Sequence, residues 1–415
     1  MRQIPVTMSL RRFEQIKRFL HLSSVDNATD SLAKFRPWTD GLLYNCKRVY
    51  YPSRHSSIDE MDISFQGRCR YKSRIKYKRA GDGFLVYALC DALNGYTYSF
   101  QFSFDTTIQK IQPQEGKIAN AVYNLVSQLE AKWHIIITDN LYTSVLLAEN
   151  LLKNEQLFIG TCRPNRGFPA SIFMKKPKTK AEQERMKAAF HFKSKNGVLA
   201  VAYYDNSPVH FLSTAHSSAF LVDVPKEIFV KDNQGKYKKE IKTIQRPNVT
   251  HDYNNWMNGV DVADQLRLNY DSKLKSNKYW HSIFWWAFDT AVTNAFILHK
   301  RECRQRTLTE MTHMSFRAKL AEQLIGGNFQ GIRSAGSSGF KRASATAAIQ
   351  KPTAVRLLGS HLIRRVHGSN AKHTPERDCV HCKKSGAGRK RTVYECATCN
   401  VGLHADCFEA YHTAP

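Results

Sequence analysis

The chain has 415 residues, with 62 Lys and Arg against 35 Asp and Glu, and carries a formal charge of +27 before any of its 16 histidines is protonated. With 42% hydrophobic and 11% aromatic residues it is not a disordered basic tail, and at about 100–200 residues per domain it is long enough for two to four domains with a sizeable core. Such a field favours a polyanionic partner, nucleic acid or an anionic membrane surface, and the position of the charge must decide between them.

Residues 1–56 read as a helical piece, because Phe13, Ile16, Phe19 and Leu20 recur at three- and four-residue spacing among Arg11, Arg12, Lys17 and Arg18. From residue 57 the period changes to short β-rich runs: SIDEMDISF, GFLVYALCDA and YTYSFQFSF. Asn94-Gly95 between the last two predicts a two-residue hairpin turn. Lys117 to Leu129 predicts a helix with Ile118, Val122, Leu125, Val126 and Leu129 on one face. His134 to Thr138 then reads as a buried strand ending at Asp139, Ser144 as the cap of a helix through Leu152, and Leu157 to Cys162 as a further strand. Three strands, helix, strand, helix, strand is an α/β order with a mixed sheet.

Residues 163–250 lose this definition and read as a β-rich insertion, while 251–325 return to helical patterning. The most apolar stretch, Trp280 to His299, contains Asp289 and Asn294 and so predicts a buried or amphipathic helix rather than a membrane span. Residues 326–360, rich in Gly, Ser and Ala with scattered basic residues, read as a flexible linker to a last segment, 361–415. No signal peptide stands at the start, and the expectation is a soluble intracellular protein.

Three constellations carry chemistry. Asp59 lies in the first strand, Asp139 at the end of the buried strand, and Asp261 and Asp264 stand three apart at the start of a helix, where i and i+3 share a face. Hard divalent cations favour clustered carboxylates, and phosphoryl transfer on DNA uses metals to stabilise the attacking and leaving oxygens. On spacing alone the same four acids also suit a turn, a strand end and a helix first turn. In RCRYKSRIKYKR (68–79), Arg68, Arg70, Lys72, Arg74, Lys76 and Lys78 occupy every other position. An extended strand there predicts one cationic face along which a phosphate backbone can lie, or else a charged edge that resists aggregation.

The third constellation is the cysteine cluster. Five of the ten cysteines are scattered, while Cys379, Cys382, Cys396, Cys399 and Cys407 crowd the end of the chain together with His404 and His412. Two CxxC pairs followed by alternating His and Cys make seven candidate ligands for tetrahedral Zn²⁺. Two closed sites need an eighth, and His361, His367 and His373 all stand upstream. A segment with so little apolar content needs metal to hold it. Interleaved Lys383, Lys384, Arg389, Lys390 and Arg391 suit a module that meets DNA.

Taken together, these blocks resemble the piggyBac transposase family and its domesticated derivatives from about Arg11 to His412. SIDEMDISFQGR (57–68) and ITDNLYTS (137–144) resemble its first two catalytic blocks. YNNWMNGVDVADQ (253–265) resembles the third, with Asn258 in place of one Gly, and KYWHSIFWWAFDTAVTNAFILH (278–299) resembles the helical segment after it. The resemblance implies an RNase H-like catalytic domain with an insertion, followed by a cross-brace zinc module. Asp59, Asp139 and Asp261 would be the catalytic triad holding Mg²⁺ or Mn²⁺, and Asp264 an additional acid. It points to His361 as the eighth ligand of two Zn²⁺ sites, and it leaves Trp280 either facing DNA or in the core.

The implied activity is DDE-type cleavage and joining of double-stranded DNA at terminal inverted repeats bounded by TTAA, in the nucleus, by a homodimer. The alternative from another class is a domesticated DNA- or chromatin-binding protein without transposition, and a weaker one is a cross-brace ubiquitin ligase. The departure is at the front: family members carry a longer region before the first catalytic block, whereas 58 residues precede Asp59 here. The excess charge is localised, with +6 in 1–58, +7 in 68–79 and +9 in 301–378.

Overall fold

The computed structural model describes residues 8–24, 30–74, 81–108, 110–186, 189–231, 237–325, 361, 363–366 and 376–413. Two compact units divide between Gly331 and Ile332. The linker 326–360, Lys76, Lys78, His367 and His373 lie outside the described residues.

In the first unit, helices α1 (Leu10–Phe19) and α2 (Arg36–Val49) precede β1 (His55–Ser64), β2 (Ser73–Arg74), β3 (Asp82–Asp91) and β4 (Thr97–Phe102). Helix α3 (Gly116–Val126), strand β5 (Ile135–Thr138), helix α4 (Val145–Lys153) and strand β6 (Leu157–Thr161) follow. Next come the short helix α5 (Lys180–Met186) and strands β7 (Phe190–Lys195), β8 (Val198–Tyr204) and β9 (Pro208–Ser213), then β10 (Leu221–Lys231) and β11 (Tyr237–Pro247). Helices α6 (Asn248–Trp256), α7 (Gly259–Leu268), α8 (Tyr279–Gln305) and α9 (His313–Leu324) end the unit.

Nine strands make one mixed sheet in the order β2-β3-β1-β5-β6-β9-β8-β7, with β4 also paired to β3. Strands β1 and β3 are antiparallel from Ser56↔Asp91 to Ser64↔Gly83, while β1, β5 and β6 run parallel. Parallel neighbours need crossovers, and α3 and α4 supply them. The segment 163–250 adds β7–β9 to this same sheet and sets β10–β11 apart as a two-stranded ribbon.

Alternation along the strands decides what each face buries. Ile58, Leu89 and Ile136 pack with Val122, Leu125 and Leu147 of α3 and α4 on one face. On the other face, Met61, Ile63, Val86 and Ala88 meet Val260, Ala263, Ile283 and Trp286 of α7 and α8. Ile135, Ile137, Ile159 and Val201 meet Val249 and Tyr253 of α6. Ser144 caps α4 by accepting the Leu147 N–H at 3.0 Å, as its position predicted.

Helix α8 buries one face as expected, and its buried Asn294 is fully used. Asn294 donates to Thr97 O at 2.8 Å and accepts the Thr97 N–H at 3.0 Å, which satisfies β4 at that point. Among the described residues no helix is long and apolar enough to cross a membrane.

The β3–β4 connection is longer than the predicted two-residue turn. It spans Ala92 to Tyr96, because Asp91 accepts the Leu93 N–H and Asn94 accepts the Tyr96 N–H, each at 2.8 Å. Only Gly95 takes a positive φ, of 77°.

Candidate functional site

Strands β1 and β5 pair with Ile58 opposite Thr138, so the next residues, Asp59 and Asp139, leave the parallel pair side by side and on one face. Burial pushes the Asp59 carboxyl up to about 7, and the carboxylates of Glu60 and Asp139 add to the rise against the Glu60 N–H, which Asp59 Oδ1 accepts at 2.8 Å. Asp139 opens a turn in which its Oδ1 accepts the Leu141 N–H at 2.8 Å and its carbonyl accepts the Thr143 hydroxyl at 2.7 Å. Thr143 Oγ1 lies 2.9 Å from Thr138 Oγ1, in space left by Gly160, where a Cβ would stand 2.3 Å from Thr143 Oγ1.

The third acid arrives on α7. The Val260 N–H donates to Ser57 Oγ at 3.1 Å, which docks the start of α7 on β1 two residues before Asp59. Gly259 permits this approach, since a Cβ there would lie 2.4 Å from Ser57 Oγ and 2.9 Å from Ala92 Cα. Asp261 follows, exposed in the first helical turn, where the helix dipole favours an acid. Asp264 is half-buried and accepts from Arg267 Nη2 at 2.8 Å. It also lies near Cys90, whose thiol is raised by burial first and by Asp264 in addition.

The structure therefore brings Asp59 and Asp139 together and docks the helix of Asp261 and Asp264 beside the strand of Asp59. The four acids do not close on one point: among the described residues, the metal-ligating sets within 4.8 Å of one another are both Cys/His sets. Two adjoining carboxylates, one biased toward its protonated form by burial, form the charge excess that a hard cation relieves. Mg²⁺ is usually held by one or two carboxylates with substrate phosphate and water, rather than by a closed protein cage.

Several residues at this site were not singled out from the sequence. Tyr253 of α6 faces both acids: burial raises its phenol, and Asp139 and Asp59 raise it further. It sits inside the block Tyr253 to Gln265, which was read for its acids. His55 stacks on Trp256 with centroids 4.2 Å apart, and His216 bridges Ser213 Oγ at 2.8 Å and Asp252 Oδ2 at 3.0 Å, tying α6 to the sheet. Lone histidines so far apart in the chain leave no local signal.

The basic stretch corrects an expectation. Residues 68–72 form a loop and turn, and only Ser73–Arg74 are strand, so the cations do not line one extended face over the described residues. Arg68, Arg70 and Arg74 are exposed. Lys72 is instead paired with Asp82 at 3.0 Å, and Arg70 lies over the Tyr71 ring at 4.7 Å. Trp280 is half-buried against the aromatic cluster of α2, β3 and α8, with Lys278 Nζ 5.8 Å from its ring centroid.

The second unit gathers eight ligands into two sets. One is Cys379, Cys382, His404 and Cys407, and the other is His361, Cys396, Cys399 and His412. The sets alternate along the chain, which is the cross-brace arrangement. Metal bonds of about 2.3 Å to sulfur and about 2.0–2.1 Å to nitrogen in a tetrahedron require S···S near ~3.7 Å and S···N near ~3.5 Å. Cys382 and Cys407 lie 3.7 Å apart, and Cys382 Sγ is 3.4 Å from His404 Nδ1. Cys396 and Cys399 are 3.5 and 3.3 Å from His361 Nδ1, and Cys399 is 3.5 Å from His412 Nε2.

The other ring nitrogens of His404 and His412 meet the carbonyls of Arg391 at 3.0 Å and Phe408 at 2.7 Å, the outer bonds that orient a metal-bound imidazole. The donor set suits zinc. His361 stands two residues before a short strand, Ile363–Arg365, which pairs with Tyr394–Cys396 and places Arg364 on buried Glu395 at 2.8 Å.

A mixed sheet whose parallel pair β1–β5 brings two carboxylates together, Asp59 within β1 and Asp139 just after β5, has the architecture of a DDE-type transposase. The family model described as "Transposase IS4" matches residues 2–296, and the chain belongs to this family, on its piggyBac side. Human PiggyBac transposable element-derived protein 3 is 25% identical over 451 aligned residues, which cover 99% of this chain and 64% of the relative. Human PiggyBac transposable element-derived protein 5 is 21% identical, covering 78% and 61%. The chain thus spans a little under two thirds of the length of these relatives. The cryo-EM structure of a piggyBac transposase synaptic complex with hairpin DNA matches with a TM-score of 0.62 at 21% identity, covering 78% of this chain and 64% of that one.

Proposed function

We propose that this chain is a piggyBac-like transposase that cleaves and joins double-stranded DNA at TTAA-flanked element ends, acting in the nucleus as a homodimer. The observation that carries the reading is the emergence of Asp59 and Asp139 side by side from a parallel strand pair, with the helix of Asp261 docked through Ser57. Asp59, Asp139 and Asp261 would hold Mg²⁺ or Mn²⁺, which would supply charge stabilisation to the attacking and leaving oxygens of the phosphodiester. Asp264, oriented by Arg267, supports the helix that presents Asp261, and Tyr253 walls Asp59 and Asp139. Arg68, Arg70 and Arg74 contact the phosphate backbone, and two Zn²⁺ ions close the cross-brace module that also engages DNA.

The test is metal-dependent nicking of a duplex carrying the element's own terminal repeat. Cleavage with Mg²⁺ or Mn²⁺ that disappears in Asp59→Ala, Asp139→Ala and Asp261→Ala supports the enzyme. A second reading, a derived DNA- or chromatin-binding protein without cleavage, is favoured by the failure of the four acids to close on one point. Salt-dependent binding of the repeat with no nicking in any divalent cation selects it.

A further inference from the structure

Strand alternation starts Glu60 toward the face of β1 opposite Asp59; its carboxylate still comes near enough to raise the Asp59 carboxyl, but Asp59, Glu60 and Asp139 form no set of three within 4.8 Å. Glu60 stands across from Tyr87 on β3, and its Oε1 accepts a hydrogen bond from the Tyr142 hydroxyl at 2.5 Å. Tyr142 is 2% exposed and meets the Tyr87 ring edge-on with centroids 6.1 Å apart. It belongs to the turn that Asp139 opens, three residues further on. The bond therefore runs from the residue after Asp59 to the turn that begins at Asp139, separately from the β1–β5 ladder.

Packing alone does not require this pair. Phenylalanine at 142 over an apolar residue at 60 fills the same space without the desolvation that a carboxylate under a sheet incurs. Burial and the Glu60 carboxylate both push the Tyr142 hydroxyl far up, so it remains a donor throughout the neutral range. Among the described residues the turn's other side-chain bonds run to β5, to α4 and to Arg163 after β6: Thr143 bonds to Thr138 and Asp139, Ser144 to Leu147, and Asn140 accepts from Arg163 Nε at 2.9 Å.

We propose that Tyr142 and Glu60 are a positioning pair, which fixes the Asp139 turn against the strand of Asp59 so that both carboxylates meet one divalent cation without reordering the turn. This rests on the reading of Asp59 and Asp139 as metal-binding acids. Partners one shell removed from a metal typically change its affinity by about 10–100-fold when removed.

The experiment uses the zinc-loaded full chain with Mn²⁺ as the probe, following free Mn²⁺ by its electron paramagnetic resonance signal and folding by thermal unfolding. Tyr142→Phe, which keeps the ring against Tyr87, is expected to weaken Mn²⁺ binding by about tenfold with a melting temperature within a few degrees of the unaltered chain. Glu60→Gln, which keeps an acceptor for the hydroxyl, is expected to weaken it by less than about threefold, and Glu60→Leu to match Tyr142→Phe. Unchanged Mn²⁺ affinity in Tyr142→Phe, or a loss that merely tracks the unfolded fraction, overturns the pair. Asp139→Ala separates the two readings: if it abolishes binding while Tyr142→Phe changes nothing, only the pair falls. If binding survives Asp139→Ala, the acids are not the site and both readings fall.

Discussion

Ser57 Oγ accepts the backbone N–H of Val260 at 3.1 Å, joining the strand of Asp59 to the helix of Asp261 across 203 residues of sequence. The hydroxyl lies two residues before one acid and the amide one residue before the other, so this bond sets the distance between strand and helix. Gly259 makes it possible. Gly259→Ala places a methyl 2.4 Å from Ser57 Oγ and is expected to destabilise the first unit by about 1–3 kcal/mol and to reduce strand cleavage. Thermal unfolding and nicking assays on the same preparation check this, and a variant with unaltered melting and cleavage removes the close approach from the account.

Asp59 makes stability depend on pH in a direction opposite to that of most carboxylates. Its ordinary value is 3.8 and its folded value is about 7, so between these the native state binds more protons than the unfolded chain. In the absence of added Mg²⁺ or Mn²⁺, its contribution is complete below about pH 4 and is lost as pH rises toward about 7. Asp59→Asn is expected to flatten that slope, as measured by denaturant titration at a series of pH values.

Zinc content distinguishes the three upstream histidines. The unaltered chain is expected to hold two zinc ions, His361→Ala to lose or weaken one of them, and His367→Ala and His373→Ala to keep both, because His361 already makes a set of four with Cys396, Cys399 and His412. A chelator is expected to unfold the second unit, whose buried core is made chiefly of the ligands themselves with Val401, Leu403 and Tyr411. Metal analysis and circular dichroism of the full chain read both effects.

Asp289 on α8 is fully buried and accepts from Arg317 of α9 at 2.9 Å and from the Ser272 N–H at 2.9 Å. Arg317→Met leaves that carboxylate without its cation and is expected to cost about 3–5 kcal/mol. Asp289→Asn keeps an acceptor for one of the two donors and removes the buried negative charge, and is expected to cost less. The difference in melting temperature between the two variants measures it.

Periodicity and spacing sufficed for the order of the larger elements between residues 57 and 162. The alternating run from Ser57, the apolar run before Asp139 and the Ser144 cap all lie where short-range pattern places them, because alternation and capping depend on residues only two to four apart. Cysteine spacing likewise revealed a metal module, since CxxC brings two thiolates to one ion locally. Local pattern failed where a side chain rewired the backbone. Asp91 and Asn94 each took a backbone N–H and lengthened the hairpin, and the described part of the charge repeat, 68–74, is a loop and turn before a two-residue strand, with Lys72 paired to Asp82.

By itself the sequence determined which acids and thiols are present, on which kinds of element, and that the charge excess is localised. Only the tertiary structure decided which of them meet. That Asp59 and Asp139 share a face depends on the register Ile58↔Thr138, set by packing on both faces of the sheet. That His361 completes the second ligand set depends on Ile363–Arg365 pairing with Tyr394–Cys396 and on Arg364 reaching buried Glu395. Both are contacts between residues distant in the chain, fixed by burial and strand pairing, and they leave no trace in local spacing.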